Sequence, residues 1–227
     1  MKLWQFLFSN PVNKQLEIHN HGHRCYSEGL TAYEQHLVSV LAKNLDPDNY
    51  YIFNNVTLPS TYTTTTQIDH IVVSINGIFV IESKDFTGWI FGNKNRPQWT
   101  HMSYKMKYKF QNPLFQNFAH VSALKEQLPF IKKCIFNVVV FSNNCEIKTE
   151  RICNVLYEDE IADYILSKSR RYLQEEEMLL VIGKLSLMCQ SYQVSTEEHV
   201  ANLDAYHGNK YLGRAPIITK IPVANAD

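Results

Sequence analysis

The chain has 227 residues, 45% of them hydrophobic and 19% charged, which is enough to bury the core of one domain and too apolar for disorder throughout. Its 22 basic and 22 acidic side chains cancel, which excludes the bulk positive charge of a strongly basic nucleic-acid binder; a polyanionic partner must meet a local patch. Cys25, Cys134, Cys145, Cys153 and Cys189 form neither a CxxC pair nor a disulfide framework, and no apolar run approaches the roughly 18 to 20 residues that span a bilayer. The expectation is a soluble protein of the reducing cytoplasm.

In chain order, residues 1–26 have no signal-peptide pattern and are expected to form an N-terminal extension, with His19, His21 and His23 part of a polar segment. Residues 28 to 45 read as a helix. At about 100° per residue, Leu30, Leu37, Val38, Leu41 and Leu45 share one face, and Glu34 falls in its middle. Tyr50 to Leu58 is aromatic and β-branched and suits a strand. Two further strands, residues 67–75 and 78–84, flank Asn76-Gly77, the dipeptide favoured in two-residue type I′ turns. A second hairpin is expected from Gly88–Phe91 back through Trp99–His101.

Asn112 before Pro113 predicts an N-cap and a first-turn proline, opening a helix over 113–128. Leu114, Phe118, Val121 and Leu128 share its apolar face, with Gln116 and His120 on the polar one. Ile135 to Ser142 and Arg151 to Leu156 add strands to the sheet. Beyond residue 157 the pattern turns helical, near 158–168, 174–191 and 196–206, followed by a tail from His207. The expected division is an extension over 1–26, an α/β domain over 27–157, and a helical C-terminal appendage with its tail over 158–227.

Chemistry concentrates on the first hairpin. With Asn76 and Gly77 in the turn, Ile75 pairs with Ile78 and Asp69 falls opposite Lys84, so that Asp69, Ile71, Glu82 and Lys84 project from one face. Two acids and an amine on otherwise apolar strands are costly without partners, and a cation is one such partner. Mg²⁺ prefers oxygen ligands and keeps waters, so the two carboxylates and a backbone carbonyl, that of Ser83, make a suitable site for phosphodiester hydrolysis. The alternative is an Asp69–Lys84 cross-strand ion pair beside a solvated Glu82. Glu34 favours the metal site, because a second element independently supplies an acid from an apolar face.

No Asp or Glu occurs from Phe86 through Lys125, while Lys94, Arg96, Lys105, Lys107, Lys109 and Lys125 do. Interleaved with Trp89, Trp99, Tyr104 and Tyr108, this segment is suited to phosphates and unpaired bases; the alternative is a solvated loop whose aromatics pack inward.

The ordered set Tyr33-Glu34, Gln67-Ile68-Asp69-His70-Ile71, Gly77 through Lys84, Gly88, Trp99 and Asn112 through Asn117 resembles the nuclease-related domain family, over about residues 28 to 130. The resemblance implies an α/β restriction-endonuclease-like core, a central mixed β-sheet flanked by helices, around a D…(D/E)xK site. By it Asp69 and Glu82 bind Mg²⁺ or Mn²⁺, Lys84 serves catalysis, Glu34 is the acid of the first helix, and Gln116 matches a glutamine on the helix after the site. This chain departs from the family where a glycine usually precedes the helix acid, having Tyr33. The implied function is a metal-dependent nuclease, with DNA as the expected partner and defence against foreign DNA or DNA processing as the expected role. A homodimer or a protein partner would meet the C-terminal helices. Two other readings stay open: a nucleic-acid-binding module without activity, and a scaffold that docks a partner through those helices.

Overall fold

The computed structural model describes residues 29–61, 65–131 and 133–191. The N-terminal extension with its three histidines, the helix expected over 196–206 and the tail from His207 lie outside the described residues. Helix α1 (Ala32–Asn44) leads into strands β1 (Tyr51–Pro59), β2 (Thr65–Ser74) and β3 (Gly77–Lys84). Three shorter strands follow, β4 (Gly88–Phe91), β5 (Gln98–Met102) and β6 (Lys107–Gln111), and then helix α2 (Pro113–Gln127). Strands β7 (Ile135–Phe141), β8 (Cys145–Ile147) and β9 (Val155–Tyr157) and helices α3 (Ile161–Leu166) and α4 (Glu175–Ser191) complete the order. No helix among the described residues is long and apolar enough to cross a membrane.

The main sheet has the order β1-β2-β3-β7-β9, antiparallel across β1, β2 and β3 and parallel across β3, β7 and β9. Both faces are covered, which is why β3 is apolar throughout until Glu82. On one face α2 and α4 pack Val121, Leu124, Val181 and Leu185 against Phe53, Ile71, Ile78 and Val80. On the other, α1 and α3 pack Leu37, Leu41, Ile161 and Ile165 against Ile52, Val72, Phe79 and Ile81. Each such side chain contributes about 1.5 to 3 kcal/mol by leaving water. The expected mixed sheet between helices is therefore present. So is the helical C-terminal part, and α4 is built into the same core as α2.

A second sheet, β6-β5-β4-β8, follows directly from β3. It packs Ile90, Trp99 and Cys145 against Val139, Phe141 and Val155, with the Trp99 and Phe141 rings stacked. Strand β6 was not expected, since Lys107-Tyr108-Lys109 reads as polar loop.

The hairpin register differs from expectation by two residues. Ser74 pairs with Gly77 and Val73 with Ile78, so the turn residues are Ile75 and Asn76. Neither adopts positive φ, which a type I′ turn requires; Gly77 does, at 141°. Tertiary contacts set this register. The Ile75 carbonyl accepts from the Tyr172 and Leu173 amides, and a Cβ on Gly77 would lie 2.5 Å from Phe136 Cε2. Side chains alternate with period two, so a slip of two leaves Glu82 and Lys84 on the face already expected for them.

Alternation resets once in β1 and β2. Phe53 and Val56, three residues apart, face the same core, as do Ile68 and Ile71, while the pairing Asn54–His70 and Val56–Ile68 keeps one register. Asn55 takes the left-handed conformation there, φ 50°, which asparagine tolerates better than most residues. Asp69 lies within this reset.

Candidate active site

Helix α2 starts where the sequence places it. The Asn112 side chain accepts from the Leu114 amide and its Nδ2 donates to the Arg96 carbonyl at 2.7 Å, which ties the helix start to the basic loop. One turn on, buried Asn117 donates from Nδ2 to the carbonyls of Val80 (2.8 Å) and Val138 (2.9 Å), across the seam of β3 and β7. These bonds fix the roll of α2, so Gln116 and His120 face the end of β3 and Phe118 is turned outward, 62% exposed. The expected apolar face was wrong there: Asn117 takes the inward position because the seam satisfies its amide.

Glu82 is 2% exposed and both its oxygens have partners. Oε1 meets the Lys84 ammonium, which also donates to Gln116 Oε1 at 3.2 Å, and Oε2 lies 3.1 Å from His120 Nε2. A carboxylate only accepts, so Nε2 carries a proton. His120 Nδ1 lies 2.7 Å from Thr66 Oγ1, which holds the ring in place. Burial alone would raise the Glu82 carboxyl, but the His120 hydrogen bond and the Lys84 charge outweigh it and hold the group below its ordinary value.

Asp69 accepts from the Ser83 amide at 2.8 Å and the Ser83 hydroxyl at 2.9 Å, both through Oδ2; among the described residues Oδ1 has no hydrogen bond. Burial, and then the charge of Glu82, push this carboxyl up to about 7, against the Ser83 amide and the Lys84 charge. Its neighbour His70 is fully buried, bonded through Nδ1 to Asn54 Oδ1 at 2.7 Å, with Nε2 unpartnered among the described residues; burial brings its pKa down to about 4. The donor set is thus one buried carboxylate, Glu82, and one partly buried carboxylate, Asp69, which repel each other, the second pushed up by desolvation and by the charge of the first. A divalent cation fits that set, with Asp69 Oδ1 free to bind it.

A family model described as "Nuclease-related domain" matches residues 31–142. An uncharacterized protein of Bacillus anthracis is 36% identical over 150 residues, covering 63% of this chain and 68% of that protein. The chain belongs to the nuclease-related domain family. No solved structure matches it. The family belongs to the restriction-endonuclease-like superfold, and the mixed sheet with helices on both faces is the core of this nuclease-related domain.

Within the nuclease-related domain the structure brings Asp69, Glu82, Ser83, Lys84 and Gln116 to one end of β2 and β3. Glu34 is placed otherwise. It closes a capping box with Thr31, whose amide donates to Glu34 Oε2 at 2.7 Å and whose hydroxyl accepts from the Glu34 amide. Among the described residues it makes no hydrogen bond or ion pair with Asp69, Glu82 or Lys84. The pattern Thr31-Ala32-Tyr33-Glu34 carried that signal. Lys94, Arg96, Lys105, Lys107 and Lys109 are all exposed, whereas Trp99 is buried. His120 was read onto the polar face and is a partner of Glu82 instead; its spacing of four from Gln116 was the available signal. A cleft of about 820 Å³ opens on the far flank of α2, lined by Lys94, Phe115, Phe118, Asn137 and Arg151. Asp69 and Glu82 lie outside it, and buried charge, not volume, marks the site.

Proposed function

We propose that this domain is a metal-dependent phosphodiesterase acting on DNA. The observation that carries the reading is the Glu82–Lys84 pair at the end of β3, buttressed from α2 by Gln116 and His120, beside the poorly ionised Asp69. Asp69 and Glu82, with the Ser83 carbonyl, would hold a magnesium or manganese ion. Such an ion lowers the pKa of a bound water and polarises a phosphate.

The chain's own groups do the rest. His120 keeps one Glu82 oxygen aligned, as second partners of metal ligands do. Lys84, drawn between Glu82 and Gln116, offers its one remaining proton to a phosphoryl oxygen and offsets the charge that builds on phosphorus. Exposed Lys94, Arg96, Lys105, Lys107 and Lys109 meet the backbone phosphates.

The test is cleavage of labelled single-stranded, nicked and duplex DNA, with RNA alongside, by wild type and Lys84→Ala in Mg²⁺, Mn²⁺ and EDTA. Cleavage that needs metal and is lost in Lys84→Ala is the expected result and names the substrate. Binding with no product in any metal would make the domain a binding module instead.

A further inference from the structure

The four-stranded sheet has two unlike faces. Ile90, Trp99, His101 and Cys145 point inward and are buried. Outward stand Trp89 and Phe91 on β4, Thr100 and Met102 on β5, and Lys107 and Lys109 on β6. The registers place Trp89 beside Met102 and Met102 beside Lys107, then Phe91 beside Thr100 and Thr100 beside Lys109. Each ring therefore has a lysine two strands away, about 10 Å across the sheet. The rings are 46% and 36% exposed, a large apolar area for a solvent face. Lys148 lies over the Trp89 ring at 5.3 Å and pairs with Glu146 at 2.6 Å, which neutralises the acid that β8 contributes to this face.

From these positions we infer that the outer face of β4, β5 and β6 is a stacking platform for single-stranded nucleic acid, with Trp89 and Phe91 taking bases and Lys107 and Lys109 taking phosphates. The inference rests on the nuclease reading and names its substrate class. Charge sign selects a polyanion, since the chain from Phe86 through Lys125 has no acid. The exposed rings select unpaired bases, because a duplex keeps base faces stacked on each other and offers a ring nothing to lie on. Platform and acids are also near neighbours. Gly88 at the start of β4 follows Lys84 by four residues, at most about 14 Å of chain. The start of the platform is thus tethered to the end of the strand that carries Glu82 and Lys84.

The test is an anisotropy titration of the full chain against a labelled oligothymidine of about twenty nucleotides, and against a duplex of the same length, in EDTA. Without metal there is no chemistry, so the titration reads the platform whatever the cleavage assay returns. Trp89→Ala with Phe91→Ala is expected to weaken single-strand binding by tenfold or more, and Trp89→Phe to restore most of its share. Lys107→Ala and Lys109→Ala are each expected to flatten the salt dependence by about 0.7 in slope. Where the double ring variant does not melt like wild type, the two lysine variants carry the test. Single-strand binding unchanged in the ring and lysine variants, duplex bound more tightly than single strand, or no oligothymidine binding by wild type at low salt would each overturn the proposal.

Discussion

Replacing Asp69 by asparagine should stabilise the protein when metal is withheld. Asparagine stands in for the neutral carboxyl, with Oδ1 still able to accept from the Ser83 amide and hydroxyl. In the fold the carboxyl titrates near 7 where an exposed one titrates near 3.8, a rise of about three units caused by burial and by Glu82. At about 1.4 kcal/mol per unit, the ionised form costs the fold at most about 4 kcal/mol. Asp69 keeps some exposure and solvent screens part of this, so we expect about 2 to 4 kcal/mol. The direction with pH follows from the raised value. The contribution of a neutral Asp69 is complete below about 4 and is lost as pH rises to about 7. Urea unfolding of both proteins in EDTA should therefore give similar stabilities near pH 4 and a widening advantage for Asp69→Asn up to pH 8. Excess Mg²⁺ should then restore the wild type and leave Asp69→Asn unmoved. An advantage that is absent at pH 8, or equal at pH 4 and pH 8, would refute the account of this carboxyl.

His120→Ala strips one Glu82 oxygen of its partner in a buried setting, and should cost about 1.5 to 3 kcal/mol in urea unfolding and ten- to a hundredfold in cleavage or metal affinity. Asn117→Ala should lower stability by about 1 to 3 kcal/mol, read as a shift in melting temperature, because two buried strand carbonyls lose their donor. Glu34→Gln separates two roles. As a cap the amide still accepts from the Thr31 amide, and cleavage should stay within a few-fold of wild type; a loss of two orders of magnitude would give Glu34 a place among the reacting groups.

What was legible in the sequence was local or periodic. Asn112-Pro113 announced the start of α2 because capping depends on adjacent residues alone. The Glu82–Lys84 face was read correctly although the turn was not, because a slip of two residues preserves the face of each side chain on the regular strand β3. The turn itself was hidden, since Asn76-Gly77 is a type I′ signal in isolation. Only Phe136 and the segment 170–173, distant in sequence, decide where Gly77 must sit. His120 was missed for a similar reason. A helical wheel ranks residues by hydrophobicity and so puts Phe118 inside, whereas the open carbonyls of Val80 and Val138 reward an amide and turn Asn117 in its place. Glu34 was legible twice over, as an acid on an apolar face and as the last residue of a capping box, and the short-range pattern decided its contacts.

The central claim is that Glu82, held by Lys84 and His120, serves phosphodiester hydrolysis and not merely the hairpin. Glu82→Gln keeps the shape while removing the charge: its amide oxygen still accepts from Lys84, and its NH₂ faces His120 Nε2, which accepts once the ring takes its other tautomer. Its rate of DNA cleavage in Mg²⁺ beside wild type, at matched thermal stability, is the most direct test. The account predicts a loss of at least a hundredfold with the fold intact; cleavage at the wild-type rate would contradict it.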